Sequence, residues 1–170
     1  VGAAGNHQSK LNFFAKGFAD SSEESCMMEA ASDATTRRPV KLLVVEDNLV
    51  NQRVSQSLLK RLGFEVDIAS NGEEGVRMWE TQEYAAIIMD CQMPVLDGYS
   101  ATALIRQKEE AERRPRLPII ALTANALPHD RQKCLDAGMD DYLTKPVLKQ
   151  DLGDTLARWL GISVPVLSAA

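Results

Sequence analysis

The run Tyr84-Ala85-Ala86-Ile87-Ile88-Met89 is nearly all apolar and has no alternation of polar and apolar residues. Such a run fits a strand buried on both faces, as in a parallel sheet. It ends on one acid, Asp90, and Met93-Pro94-Val95-Leu96-Asp97-Gly98 turns the chain at once. Cys91 to Leu96 shows no helical period, and Pro94 biases Met93 away from helix. The next helix is therefore expected to begin near Gly98. A carboxylate at the C-terminal end of a buried parallel strand stands where open α/β sheets hold their ligands. That position favours a functional Asp90 over one that caps a helix.

The same grammar repeats along the chain. Lys41-Leu42-Leu43-Val44-Val45 reads as a first buried strand, ended by Glu46-Asp47-Asn48. Val50, Val54, Leu58 and Leu62 recur at helical spacing and predict the apolar face of a first helix. Gly63 stands where that helix should stop. Glu65 to Ala69 reads as a second strand, and Asn71-Gly72 opens a helix to about Thr81. After the third strand, a helix is expected from Gly98 to Arg113. Its charged end, Arg106 to Arg116, reads as a solvated face with internal ion pairs. Leu117 to Leu122, a helix from Pro128 to Ala137 closed by Gly138, Asp141 to Leu143, and a helix from Leu148 to Leu160 closed by Gly161 complete the pattern. Strands that alternate with helices predict an α/β fold, a parallel sheet with helices on both faces.

Before Val40 the chain differs. Residues 20–38 are rich in Ser, Glu, Asp, Ala and Thr, so residues 1–38 are expected to be a flexible linker or tail. Leu11, Phe13, Phe14 and Phe18 form one small apolar cluster there, either the end of an upstream domain or a short docking helix. Residues 39–161 make the folded domain and 162–170 a C-terminal tail. The 170 residues are 45% apolar, ample for one core, and the net charge of −5 opposes an electrostatic grip on nucleic acid. No apolar run is long enough to cross a membrane, so no membrane contact is expected from this segment. The three cysteines, Cys26, Cys91 and Cys134, have no metal or redox spacing and fit a reducing, cytoplasmic setting. Cys91 reads as a half-buried filler rather than a reactive thiol.

Three acids fall at strand ends: Glu46 and Asp47 after the first strand, Asp90 after the third. With those strands adjacent, they converge on one crevice, where like charges repel unless they share protons or bind a cation. With no Cys/His cluster, a metal there should be a hard cation such as Mg2+, which keeps waters for a phosphate. Thr123 follows the fourth strand and Lys145 the fifth. A hydroxyl and an ammonium around a lone carboxylate describe a pocket for a phosphoryl group. No Gly-rich nucleotide loop is present, so the phosphoryl donor should be a phosphorylated partner or a small phosphate compound.

These residues, Glu46-Asp47, Met89-Asp90 with Met93-Pro94 and Asp97-Gly98, Thr123-Ala124 and Lys145-Pro146, resemble the receiver domains of two-component response regulators. The resemblance covers about Val40 to Leu160. It implies a flavodoxin-like, doubly wound five-stranded sheet in the order 2-1-3-4-5. By that resemblance Asp90 takes a phosphoryl group from a phosphohistidine of a kinase. Glu46, Asp47, Asp90 and the backbone carbonyl of Gln92 would hold Mg2+. Thr123 and Lys145 would contact the phosphoryl oxygens, Thr123 and Tyr142 would form the switch, and Lys145-Pro146 matches a bond often cis in relatives. The wording Glu46-Asp47-Asn48 with Asn51-Gln52, Asp90-Cys91-Gln92 and Ala121 to Ala126 is similar to receivers fused to hybrid sensor histidine kinases. The expected partners are then a histidine kinase domain in the same parent chain and a histidine phosphotransfer protein, which would dock through Leu49 and Val50. The domain itself reads as a switch rather than a turnover enzyme, with a kinase as the parent. A phosphorylation-independent interaction module of the same fold is the alternative.

A hydrolase of the haloacid dehalogenase class would want an acid where Gln92 stands. A flavin carrier would suffer repulsion between the strand-end acids and the flavin phosphate.

Overall fold

The computed structural model describes residues 39–124 and 127–162. Expectations for the N-terminal tail with its Phe cluster, for Asn125 and Ala126, and for residues 163–170 lie outside the described residues.

Five strands alternate with five helices. They run β1 (Lys41–Val45), α1 (Leu49–Arg61), β2 (Glu65–Ala69), α2 (Gly72–Thr81), β3 (Ala86–Asp90), α3 (Gly98–Glu112), β4 (Ile119–Thr123), α4 (Pro128–Asp136), β5 (Asp141–Thr144) and α5 (Lys149–Leu160). The sheet is wholly parallel, in the order β2-β1-β3-β4-β5. This is the flavodoxin-like order that the resemblance implies.

Two cores explain the unbroken apolar strands. Leu43, Val45, Ile87, Met89, Ile119 and Ala121 face one side, with Val76 and Trp79 of α2, Ala101 and Ile105 of α3 and Cys134 of α4. Their strand neighbours Leu42, Val44, Ile88, Ile120 and Leu122 face the other, with Leu59 of α1 and Leu152 and Leu156 of α5. Alternate side chains still point to opposite faces, but both faces are covered. A fully buried Ile or Leu in such a core contributes about 1.5–3 kcal/mol.

Helix ends follow their local chemistry. Asn48, Asn71 and Asp97 cap α1, α2 and α3 by accepting backbone N–H groups of the first turn. Gly63, Gly138 and Gly161 stand at φ of 89°, 93° and 62° just beyond α1, α4 and α5.

Two expectations are corrected. The inner stripe of α1 is Gln52, Ser55 and Leu59, continued by Leu62, whereas Val50 and Val54 point outward at 68% and 47% exposure. The stripe was hidden because two of its members are polar. Gln52 is buried because its amide donates to the Glu46 carbonyl at 2.7 Å. The charged end of α3 is not simply solvated either. Arg106 donates to the Gly138 carbonyl at 2.8 Å, to Glu109 at 2.6 Å and to Asp140 at 2.6 Å. Glu109 is 5% exposed and also accepts the Leu117 N–H at 2.8 Å. The cluster fastens α3 to the entries of β4 and β5.

Candidate functional site

The C-terminal strand edge gathers the side chains singled out from the sequence. Asp90 ends β3 and is 5% exposed; Glu46, just past β1, is 1% exposed. Lys145, just past β5, donates to Asp90 Oδ2 at 2.7 Å and lies 2.8 Å from Glu46 Oε2. The Lys145-Pro146 peptide bond is cis. Asp90 Oδ1 accepts the Gln92 N–H at 3.2 Å. Glu46, Asp47 and Asp90 each offer one carboxylate oxygen within 4.8 Å of the others, with Asp47 exposed. Thr123 ends β4, is 6% exposed and lines the same cleft, of about 290 Å³.

Charge in this cleft is arranged by burial and by Lys145. Burial pushes the Asp90 carboxyl above its ordinary value. The Lys145 hydrogen bond and the Gln92 N–H oppose that rise, and nearby Glu46 adds to it. Burial pulls Lys145 down, but its hydrogen bond to Asp90 and the two nearby carboxylates outweigh this and hold it above its ordinary value. The ammonium is thus charged throughout the physiological range. Among the described residues, Glu46 Oε2 is the buried side-chain oxygen without a hydrogen bond; it faces Lys145 as an ion pair only. A buried carboxylate oxygen with open lone pairs, in a group made of three carboxylates, fits a hard divalent cation.

Supporting residues were less legible. Asn51 donates to Glu46 Oε1 at 2.9 Å while Gln52 holds the Glu46 carbonyl, so the first turn of α1 grips this acid at both ends. From the sequence, Asn51 and Gln52 read only as part of the resemblance. The short spacing to Glu46 across one turn was the available signal. Asp130, in the first turn of α4, also lines the cleft and was missed. Gly98 is required by close approach: a Cβ there would stand 2.0 Å from the Asp90 carbonyl oxygen. Val95, in the same loop, holds φ of 70°, a left-handed conformation that is rare for a β-branched residue.

The remaining candidates, Tyr142, Leu49 and Val50, are not among the residues lining the acidic cleft. Tyr142 is half-buried on β5, with the Arg131 guanidinium 5.6 Å from its ring centre. Leu49 and Val50 begin α1 and are 67% and 68% exposed. Among the described residues, no helix is long and apolar enough to cross a membrane.

Comparison with known proteins gives this geometry a family. The family model described as response regulator receiver domain matches residues 42–157. Hybrid signal transduction histidine kinase B of Dictyostelium discoideum is 42% identical over 120 residues, covering 66% of this chain and 6% of the kinase. Histidine kinase 5 of Arabidopsis thaliana is 40% identical over 148 residues, covering 74% of this chain and 16% of that protein. The chain thus spans a small part of the curated relatives it matches. The receiver domain of a Pseudomonas aeruginosa sensor histidine kinase, solved with magnesium coordinated in its active-site cleft, is 51% identical with a TM-score of 0.66. That match covers 74% of this chain and all of that one. A Saccharomyces cerevisiae receiver domain, crystallised with a histidine phosphotransfer signalling protein, is 33% identical with a TM-score of 0.68, covering 76% and 94%. A buried strand-end acid bridged by lysine, an acidic trio beside it, this strand order and these matches agree: the chain belongs to the response regulator receiver domain family.

Proposed function

We propose that Asp90 is the phosphoacceptor of a phosphorelay, loaded from a phosphohistidine of a kinase domain in the same parent chain, on the cytoplasmic side. The observation that carries this is the Lys145 ammonium bridging Asp90 and Glu46 at the mouth of the acidic cleft. A carboxylate oxygen of Asp90 attacks phosphorus in line, the P–N bond to the histidine breaks, and the imidazole leaves. Lys145 offsets charge on the phosphoryl oxygens, and the Thr123 hydroxyl donates to one of them. Glu46, Asp47, Asp90 and the Gln92 carbonyl would hold magnesium, which when bound supplies charge neutralisation between the acids and the incoming phosphate. Most of the acceleration then comes from positioning. The test is transfer of label from a phosphorylated kinase domain. Hydroxylamine should release the label, as it does an acyl phosphate; a resistant label would sink the reading.

The grip on Glu46 predicts a metal phenotype. Asn51→Ala should weaken magnesium binding about tenfold or more, the scale of losing a residue that orients a ligand. Asp47→Ala should weaken it further. NMR shift titration measures both, and an unchanged affinity in Asn51→Ala would mean that Glu46 is held without it.

Output is proposed to leave through protein surfaces. Phosphorylation would draw Thr123 toward the phosphoryl group and let Tyr142 follow, a coupling of about 1–3 kcal/mol. Thr123→Ala should still accept the phosphoryl group yet move the Tyr142 resonances little on beryllofluoride addition. Equal movement in both chains would place the switch elsewhere. A histidine phosphotransfer protein would bring its histidine in line with Asp90 by docking on the exposed start of α1. Leu49→Asp should slow onward transfer about tenfold or more, as loss of a central apolar contact does. Rates unchanged in stopped-flow transfer assays would remove Leu49 from the interface.

A further inference from the structure

Cys91 and Cys134 stand outside the phosphoryl chemistry. Cys91 directly follows Asp90, and Cys134 lies in α4. Their Sγ atoms are 3.7 Å apart, and the residues are only 2% and 1% exposed. Tyr99 packs against the buried cluster that contains both cysteines. Beside this group opens a shallow cleft of about 450 Å³, lined by Cys91, Tyr99, Met93, Pro94 and Asp97. Cys91 is thus at the wall of this cleft, and Cys134 is in contact with it.

We propose that these two thiols are an oxidation site that closes to an intramolecular disulfide, joining the strand end beside Asp90 to α4. A disulfide bond is about 2.05 Å long, so the sulfurs need to approach by roughly 1.7 Å. The oxidant class is a peroxide. The Cys91 sulfur attacks one oxygen of hydrogen peroxide, the O–O bond breaks, and a first water leaves with the thiol proton, giving a sulfenic acid. The Cys134 sulfur then attacks the Cys91 sulfur, the S–O bond breaks, and the hydroxyl leaves as a second water with the Cys134 proton. Two electrons pass from the sulfur pair to the peroxide oxygens. Both thiols are buried, so the pair answers to excess oxidant rather than to brief exposure.

A covalent tie between β3 and α4 would restrain a helix next to the proposed switch. This consequence rests on the phosphoacceptor reading; the disulfide itself does not.

The experiment uses the full chain carrying Cys26→Ser, to remove the third cysteine. Reduced protein is treated with hydrogen peroxide, alkylated in denaturant and digested for mass spectrometry. The expected result is a peptide linking Cys91 to Cys134, lost on reduction and absent in Cys134→Ala. Both cysteines recovered alkylated, or Cys91 recovered as sulfinic acid with Cys134 alkylated, would overturn the site. A second readout adds beryllofluoride to the oxidised chain, whose Tyr142 shifts should be smaller than those of the reduced chain. Full shifts with the disulfide present would overturn the restraint alone. A reduced chain that binds no beryllofluoride would instead count against the phosphoacceptor reading.

Discussion

Asp90→Asn should take up no phosphoryl group from acetyl phosphate, while melting at the native temperature or a few degrees above it. The chemical half follows from the nucleophile. An amide oxygen carries no full negative charge, and the acid is the one Lys145 holds at 2.7 Å. Intact mass should fall from about one phosphoryl group per chain to none. The stability half follows from linkage. Burial is the largest influence on Asp90, and the net result is a carboxyl held above its ordinary 3.8. The folded chain therefore keeps this proton more tightly than the unfolded chain does. As pH rises through 3.8 toward the folded value, the unfolded state ionises first and folding loses stability. At neutral pH the ionised Asp90 is a burden that asparagine, of similar shape and neutral, removes. Lys145 keeps Glu46 as an ionic partner at 2.8 Å. Equal labelling in the variant would put the phosphoacceptor elsewhere. A melting point several degrees lower would mean that the Asp90–Lys145 pair outweighs desolvation.

How legible the molecule was in its sequence depended on whether a residue's role is local. Strands buried on both faces leave continuous apolar runs, so β1, β3 and β4 could be read directly, to within two residues at their ends. The acids and Lys145 were legible because each immediately ends or follows a strand, and parallel topology brings such ends to one edge. The stripe of α1 was not. Its inner positions include Gln52 and Ser55, while the apolar Val50 and Val54 face out. Periodicity points inward only when burial is apolar, and here a buried amide serves Glu46. The Cys91–Cys134 contact was equally hidden, since it joins a strand end to a helix 43 positions away. Arg106 failed for the same reason, because its partner Asp140 lies beyond the next strand.

That hidden cluster carries the largest expected stability effect. Arg106 is 12% exposed by its side chain, Glu109 6% and Asp140 8%, so three charges share a nearly closed space. Arg106→Ala would take the shared guanidinium from two carboxylates. Asp140 keeps Arg116 at 2.9 Å and the Ile119 N–H at 2.8 Å, but the Glu109 carboxylate keeps only the Leu117 N–H among its described hydrogen bonds. The Gly138 carbonyl loses the Arg106 donor and retains Arg116 at 2.8 Å. Removing one member of a buried ion pair typically destabilises by about 3–5 kcal/mol, a fall in Tm on the order of 10–20 °C for a domain of this size. The charge account predicts a specific rescue. Arg106→Met with Glu109→Gln removes both charges, fills the space and leaves an acceptor for Leu117. It should recover more than half of the loss, because a matched apolar or neutral replacement leaves no uncompensated charge. Scanning calorimetry of the native chain, the single variant and the double variant separates the cases. A double variant as unstable as Arg106→Ala would show that packing of the arginine stem, not charge pairing, fastens α3 to the entries of β4 and β5.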